Sequence, residues 1–223
     1  MARITIFAGH YGSGKTTLAV NFAVALRRSH ANVALCDMDI VNPYFRTADH
    51  ANLLEAAGVQ LIGSPYANTN VEMPWIPAEA QRIVDDKSLR AVIDLGGDDT
   101  GALALGRFAP QLIDQAEMLL VVNPCRPLTR GVRDLTEMRF GIENAAGLAF
   151  AGIVNNTNLG AETTAQTITA HLPLVREAAR AMRLPIIRTA VWKNLSDQIT
   201  LTEQDGQTLL VERYHHKDVW AID

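Results

Sequence analysis

Gly9-His10-Tyr11-Gly12-Ser13-Gly14-Lys15-Thr16 follows the spacing G-x-x-x-x-G-K-[ST], and its flanks decide how it is read. The run Arg3-Ile4-Thr5-Ile6-Phe7-Ala8 before it reads as a short buried strand, and Thr17 to Leu26 after it is apolar at helical spacing. Strand, glycine loop and helix in that order form a phosphate-binding turn. Its glycines let backbone N–H groups curl around phosphate oxygens, and the helix N-terminus adds donors and partial positive charge. In such a turn Lys15 brings its charge to the β- and γ-phosphates and the Thr16 hydroxyl ligates Mg²⁺. Gly9 through Thr17 are therefore the candidate nucleotide-binding residues. A dinucleotide loop of the G-x-G-x-x-G kind fits worse, because Thr17 stands where the third glycine would fall.

The surrounding sequence agrees with a cytoplasmic nucleotide-binding α/β protein. The 223 residues are 48% hydrophobic and 20% charged, with a net charge of −4, which predicts one domain with a good core. Here that domain is a core over residues 1–191 and a C-terminal extension over 192–223. Basic residues do not cluster, which argues against nucleic acid or an anionic membrane as partner. No apolar run approaches membrane-spanning length, and the N-terminus enters a strand at once, without a leader. Cys36 and Cys125 both follow apolar runs and read as buried free thiols.

Apolar runs alternate with helical patterns along the chain. Strands are expected at 32–36, 58–62, 91–95, 118–122, 148–154 and 185–191, with helices at 49–57, 77–84, 129–140 and 162–182. Pro173 is expected to break the last helix. Continuous apolar strands between helices imply a doubly wound, mostly parallel sheet covered on both faces. Asp205-Gly206 between 199–201 and 208–211 predicts a C-terminal β-hairpin. Ser64 to Pro77, with Trp75, lacks periodicity and reads as a loop facing an unknown protein client.

Ligands in such sheets bind at the carboxyl ends of strands. The third core strand ends Ile93-Asp94-Leu95-Gly96-Gly97, so Asp94 is the candidate Mg²⁺ carboxylate, and Gly97 or Gly96 is placed to turn an N–H toward a γ-phosphate. The second ends Asp37-Met38-Asp39, which places Asp39 to orient a water or to sit near the metal. After the strand at 148–154 comes Asn155-Asn156-Thr157-Asn158, where guanine-specific proteins carry N-K-x-D. Without that carboxylate ATP is the expected nucleotide, and Asn155 is placed to hydrogen-bond adenine.

Together these residues resemble the MinD/ParA/CobQ-type P-loop ATPases, the group that includes the nitrogenase iron protein and carbon monoxide dehydrogenase maturation ATPases. G-H-Y-G-S-G-K-T-T aligns with that family's G-K-G-G-x-G-K-T-T, Asp37-Met38-Asp39 with its first switch, and Asp94 to Asp98 with its second. The resemblance implies ATP and Mg²⁺ as ligands, slow hydrolysis and a nucleotide-dependent homodimer. His10 stands where the family has a lysine that reaches the partner subunit's nucleotide, which puts that sandwich dimer in doubt. Arg46, Arg107 and Arg126 are the candidates to replace its charge. The first functional reading is an ATP-hydrolysing switch with Lys15 and Asp39 as its catalytic residues. The alternatives are an ATP-dependent ligase related to cobyrinic acid a,c-diamide synthase, or a metallocentre maturation ATPase.

Overall fold

The computed structural model describes residues 2–38, 50–63, 78–96, 99–212 and 214. Eight strands run β1 (Ile4–Ala8), β2 (Val33–Met38), β3 (Gln60–Ile62), β4 (Arg90–Leu95), β5 (Ala116–Val122), β6 (Phe150–Asn155), β7 (Ile186–Trp192) and β8 (Gln207–Val211). They form one sheet in the order β3-β2-β4-β1-β5-β6-β7-β8, and every pairing between neighbours is parallel. The helices are α1 (Lys15–Arg27), α2 (Ala51–Ala56), α3 (Ala78–Asp85), α4 (Asp99–Gly106), α5 (Ala109–Leu112), α6 (Val132–Ala146) and α7 (Ala165–Met182).

Strand alternation sorts the core into two layers. Ile4, Ile6 and Ala8 of β1 join Ile93 and Leu120 in a layer that takes Leu105 from α4, Leu135 from α6 and Val175 from α7. Phe7 points the other way, into a layer with Leu18 and Phe22 of α1 and Leu54 of α2. The Phe7 and Phe22 rings meet edge to face with centroids 5.4 Å apart. Both faces of β1 are thus covered, which is why its five residues are all buried.

The doubly wound parallel sheet is the one expected from the sequence, and three details differ. Pro173 lies inside α7 and does not end it. The apolar stripe Ile168, Leu172, Val175, Ala178, Ala179 and Met182 is buried along the helix. At about 1.5–3 kcal/mol per large buried side chain, that stripe outweighs the roughly 3 kcal/mol cost of an interior proline. The C-terminal hairpin is not formed. Residues 199–201 are not a strand, and β8 lies parallel to β7, with Arg188 beside Gln207 and Trp192 beside Val211. The chain between them returns through 3-10 turns at Lys193–Gln198 and Glu203–Asp205. There Asp205 accepts two 2.7 Å bonds from Arg176 of α7, and its carbonyl accepts from the Thr189 hydroxyl at 2.7 Å. These bonds aim β8 along β7, and Gly206 at φ 71 fits under Ile187, where a Cβ would lie 2.5 Å from a backbone carbon. Finally, Cys36 is buried as expected but Cys125 is half-buried, in the turn after β5. Among the described residues, no helix is long and apolar enough to cross a membrane.

Candidate functional site

The site lies where the chain direction across the sheet reverses. From β1 the chain crosses to β2 on one side, while β5 leads through β6 to β7 on the other, so a crevice opens at the carboxyl end of β1. The turn Gly9–Gly14 occupies that crevice and leads into α1 at Lys15.

Backbone conformation explains its glycines. Gly9, Gly12 and Gly14 have φ of 153, 75 and 87, in the region that side chains disfavour. At Gly9 an added Cβ would lie 2.5 Å from the Val121 carbonyl oxygen of β5, and at Gly14 it would strike the Asn156 side-chain nitrogen. The Ser13 N–H donates to the His10 carbonyl at 3.1 Å, closing the turn, and the Leu18 N–H donates to the Gly14 carbonyl at 3.1 Å, opening the helix. The N–H groups of Gly14, Lys15 and Thr16 meet no acceptor among the described residues. Helix α1 also has no side-chain cap and no acid in its first turn. A helix that leaves its N-terminal donors uncapped is shaped for an anion.

Lys15 is buried beneath this crest at 5% exposure, with its ammonium 3.4 Å from the His10 carbonyl. The Ser13 hydroxyl is buried with no hydrogen-bond partner among the described residues. Thr16 and Thr17 are half-buried at the start of α1, and Tyr11 is exposed at the tip. His10 uses Nδ1 to donate to the Tyr11 carbonyl at 3.0 Å. An open set of amides, a buried cation and an unmatched hydroxyl on one concave turn fit a phosphate chain.

Asp94 is fully buried near the end of β4, in register with Phe7 of β1 and Asp37 of β2. Those registers put it on the sheet face covered by α1, next to the strand that carries the loop. Cys36 and Ile93 point to the opposite layer. Burial, reinforced by the negative charges of Asp37 and Asp94, pushes the Cys36 thiol far up, so it stays protonated and inert. Asp39, Gly97 and Arg46 lie outside the described residues.

Asn155 is not an exposed group for a base. It is fully buried; its Oδ1 accepts from the Thr157 N–H at 3.1 Å and hydroxyl at 2.6 Å, and its Nδ2 donates to the Thr189 hydroxyl at 3.4 Å. Its neighbour Asn156 reaches the site instead, donating to the Ser13 carbonyl at 2.6 Å. Alternation along β6 carried this signal. Val154 packs in the α1 layer, so the next residue on that side is Asn156.

Two further braces come from distant segments. After β5, the Arg126 Nε donates to the Gly12 carbonyl at 3.0 Å. Asn21 of α1 bridges the Thr17 carbonyl, at 2.9 Å, to the carbonyl of Glu212 past β8, at 3.1 Å, and its Oδ1 accepts from the Glu212 N–H at 2.8 Å. A cleft of about 480 Å³ opens beside that bridge, lined by Thr163, Trp192, Lys193, Asn194 and Glu212. Lys193 lies 2.7 Å from the Glu212 carboxylate and holds it below the usual carboxylate range.

The model of the CobQ/CobB/MinD/ParA nucleotide binding domain matches residues 4–172. Comparison with curated proteins gives no match. Among solved structures, cell division protein FtsY from Thermotoga maritima superposes with a TM-score of 0.57 at 18% identity, covering 84% of this chain and 61% of that one. Septum site-determining protein MinD from Pyrococcus horikoshii, complexed with Mg-ADP, gives 0.51 at 19% identity, with 85% and 81% covered. The 54 kDa signal recognition particle protein from Aeropyrum pernix, in complex with GDP, gives 0.52 at 22% identity over 81% of this chain. The chain spans 39% of that last protein and 61% of FtsY. At these identities the likeness is one of fold.

Proposed function

Because the chain belongs to the CobQ/CobB/MinD/ParA nucleotide-binding family, we propose that it binds ATP with Mg²⁺ on the loop Gly9–Thr16 and hydrolyses it slowly, as a nucleotide-dependent switch. One observation carries this reading: a buried lysine at a glycine turn where the Gly14, Lys15 and Thr16 amides meet no acceptor among the described residues. Lys15 binds the β- and γ-phosphate oxygens and stabilises charge on the transferred phosphoryl group, with the Gly14, Lys15 and Thr16 amides alongside. The Thr16 hydroxyl and the Asp94 carboxylate would hold the metal. A metal held there would supply charge neutralisation. Asp39 orients the attacking water, and the Gly97 amide contacts the γ-phosphate. The segments near Asp39 and residues 94–100 would be ordered by MgATP and released on hydrolysis.

With Asn155 spent inside the sheet, the cleft beside Asn21 receives the base, and Trp192 provides an apolar wall for it. Residues 155–158 carry no carboxylate, which favours adenine over guanine.

Calorimetric titration with ATP and GTP, each with and without Mg²⁺, tests the reading. Binding of MgATP, weaker GTP binding and a slow release of inorganic phosphate are expected. Trp192→Ala should weaken ATP binding, and Asp94→Asn should reduce its dependence on Mg²⁺. No heat on titrating MgATP into the wild-type protein would overturn the proposal.

A further inference from the structure

Arg126 stands 114 residues from the phosphate loop in sequence and rests on it in space. The turn that carries it is tightly held. Asn123 is fully buried at the end of β5, where its Oδ1 accepts from the Cys125 N–H at 3.1 Å and the Asn158 N–H at 3.2 Å. Its Nδ2 donates to the Asn158 carbonyl at 3.0 Å, and its own carbonyl accepts from the Thr129 hydroxyl at 2.6 Å and the Arg126 N–H at 3.1 Å. This network fixes the Arg126 backbone to the ends of both β5 and β6. From there its Nε reaches the Gly12 carbonyl at 3.0 Å. The side chain is exposed, and among the described residues no carboxylate pairs with it. An unpaired guanidinium placed on a loop by such a rigid turn is more than a surface charge.

Its position points to the terminal phosphates. In a loop of this kind the lysine reaches the β/γ end of the nucleotide. Here the Lys15 ammonium lies 3.4 Å from the His10 carbonyl, so the crest from His10 to Gly12 borders that end. Arg126 docks on the same crest. His10 on the same crest turns its Nδ1 to the Tyr11 carbonyl, whereas a guanidinium brings a planar fork of five donors.

We propose that Arg126 is a positioning residue: its guanidinium, held on Gly12, fixes the crest of the loop and sets a permanent positive charge beside the terminal phosphates from within the same chain. The proposal rests on the reading of Gly9–Thr16 as an ATP site. Arg126 acts through the loop, so it governs preference for the triphosphate over the diphosphate. Arginine suits this purpose because one N–H anchors to the carbonyl and the guanidinium keeps further donors.

The test compares wild type with Arg126→Ala, Arg126→Gln and Arg126→Lys by calorimetry with MgATP and MgADP, with melting curves of the nucleotide-free proteins as the folding check. Arg126→Ala should weaken MgATP binding about tenfold and MgADP binding clearly less. Arg126→Lys should recover most of the ATP-over-ADP preference, because it restores the charge. Arg126→Gln, a neutral donor, should not. A merely structural brace would change both nucleotides equally and would be rescued by Gln, and that pattern would refute the role in charge. Wild-type affinities in Arg126→Ala would overturn the proposal while leaving the ATP site standing. No MgATP binding by the wild type would overturn the site itself, and the proposal with it. If Arg126→Ala melts early, the Lys and Gln variants carry the comparison, because they keep a long side chain over Gly12.

Discussion

Replacing Lys15 with methionine should make the nucleotide-free protein slightly more stable while removing its ability to bind ATP. The Lys15 side chain is 5% exposed, and among the described residues its ammonium has one hydrogen bond, at 3.4 Å, beyond the usual range of about 2.7–3.2 Å. A charge taken from water and left with so little compensation costs free energy. Methionine keeps the apolar stem and removes the charge, so a gain of about 1 kcal/mol is expected, or about 2–4 °C in Tm for a chain of this size. With nucleotide the order reverses. Hydrogen bonds from an ammonium to phosphate oxygens contribute about 1.5–3 kcal/mol each, so losing them should raise Kd about 100-fold or more. At a concentration of MgATP about 100 times its Kd, the wild type gains about 2.7 kcal/mol and melts about 5–10 °C higher, while the variant gains almost nothing. Melting curves with and without MgATP, together with calorimetry, read both effects. Wild-type ATP affinity in Lys15→Met would refute the assignment of the site. A nucleotide-free variant destabilised by several kcal/mol would show that Lys15 is there for packing.

Gly14→Ala must hold a side chain at φ 87 and displace the Asn156 amide from the Ser13 carbonyl. A loss of about 2–4 kcal/mol in denaturant melts is expected, with weakened ATP binding, and an unchanged midpoint would contradict this. The two asparagines should separate cleanly. Asn156→Ala lowers ATP affinity through the loop, whereas Asn155→Ala lowers stability by about 1–3 kcal/mol and leaves the affinity of the folded protein intact, as titration and melting of each variant will show. Asp205 is held at about 2, chiefly by the Arg176 guanidinium, against an ordinary 3.8. Its folded value is the lower one, so its contribution of about 2 kcal/mol is present in full above pH 3.8 and fades as pH falls toward 2. Arg176→Met should flatten the stability-against-pH curve over that window, and a curve with the wild-type slope would exclude the pair as its source.

The glycine loop between β1 and α1 was legible because everything that makes it is contiguous. The strand, the three glycines at positive φ and the helix all fall within residues 4–27, and local sterics fix each of them. The parallel sheet was legible for a similar reason, since strands covered on both faces must be apolar throughout. What grips the loop was not legible. The partners of Ser13 and Gly12 are 143 and 114 residues away, and no local pattern records such a bond. Asn155 and Asn156 are adjacent and chemically identical, and they differ in role because successive residues at a strand end face opposite layers. Asp205-Gly206 has the composition of a hairpin turn, but Arg176 on α7 and Thr189 on β7 set the direction of the chain there. The sequence by itself therefore determined the glycine turn between β1 and α1 and the class of fold, which depend on backbone sterics and the burial period of single segments. Which side chains brace the glycine loop, where a cleft opens beside Trp192 and Glu212 and which way the last strand runs were decided only when distant segments packed together, because a hydrogen bond or an ion pair depends on distance in space and not on order along the chain.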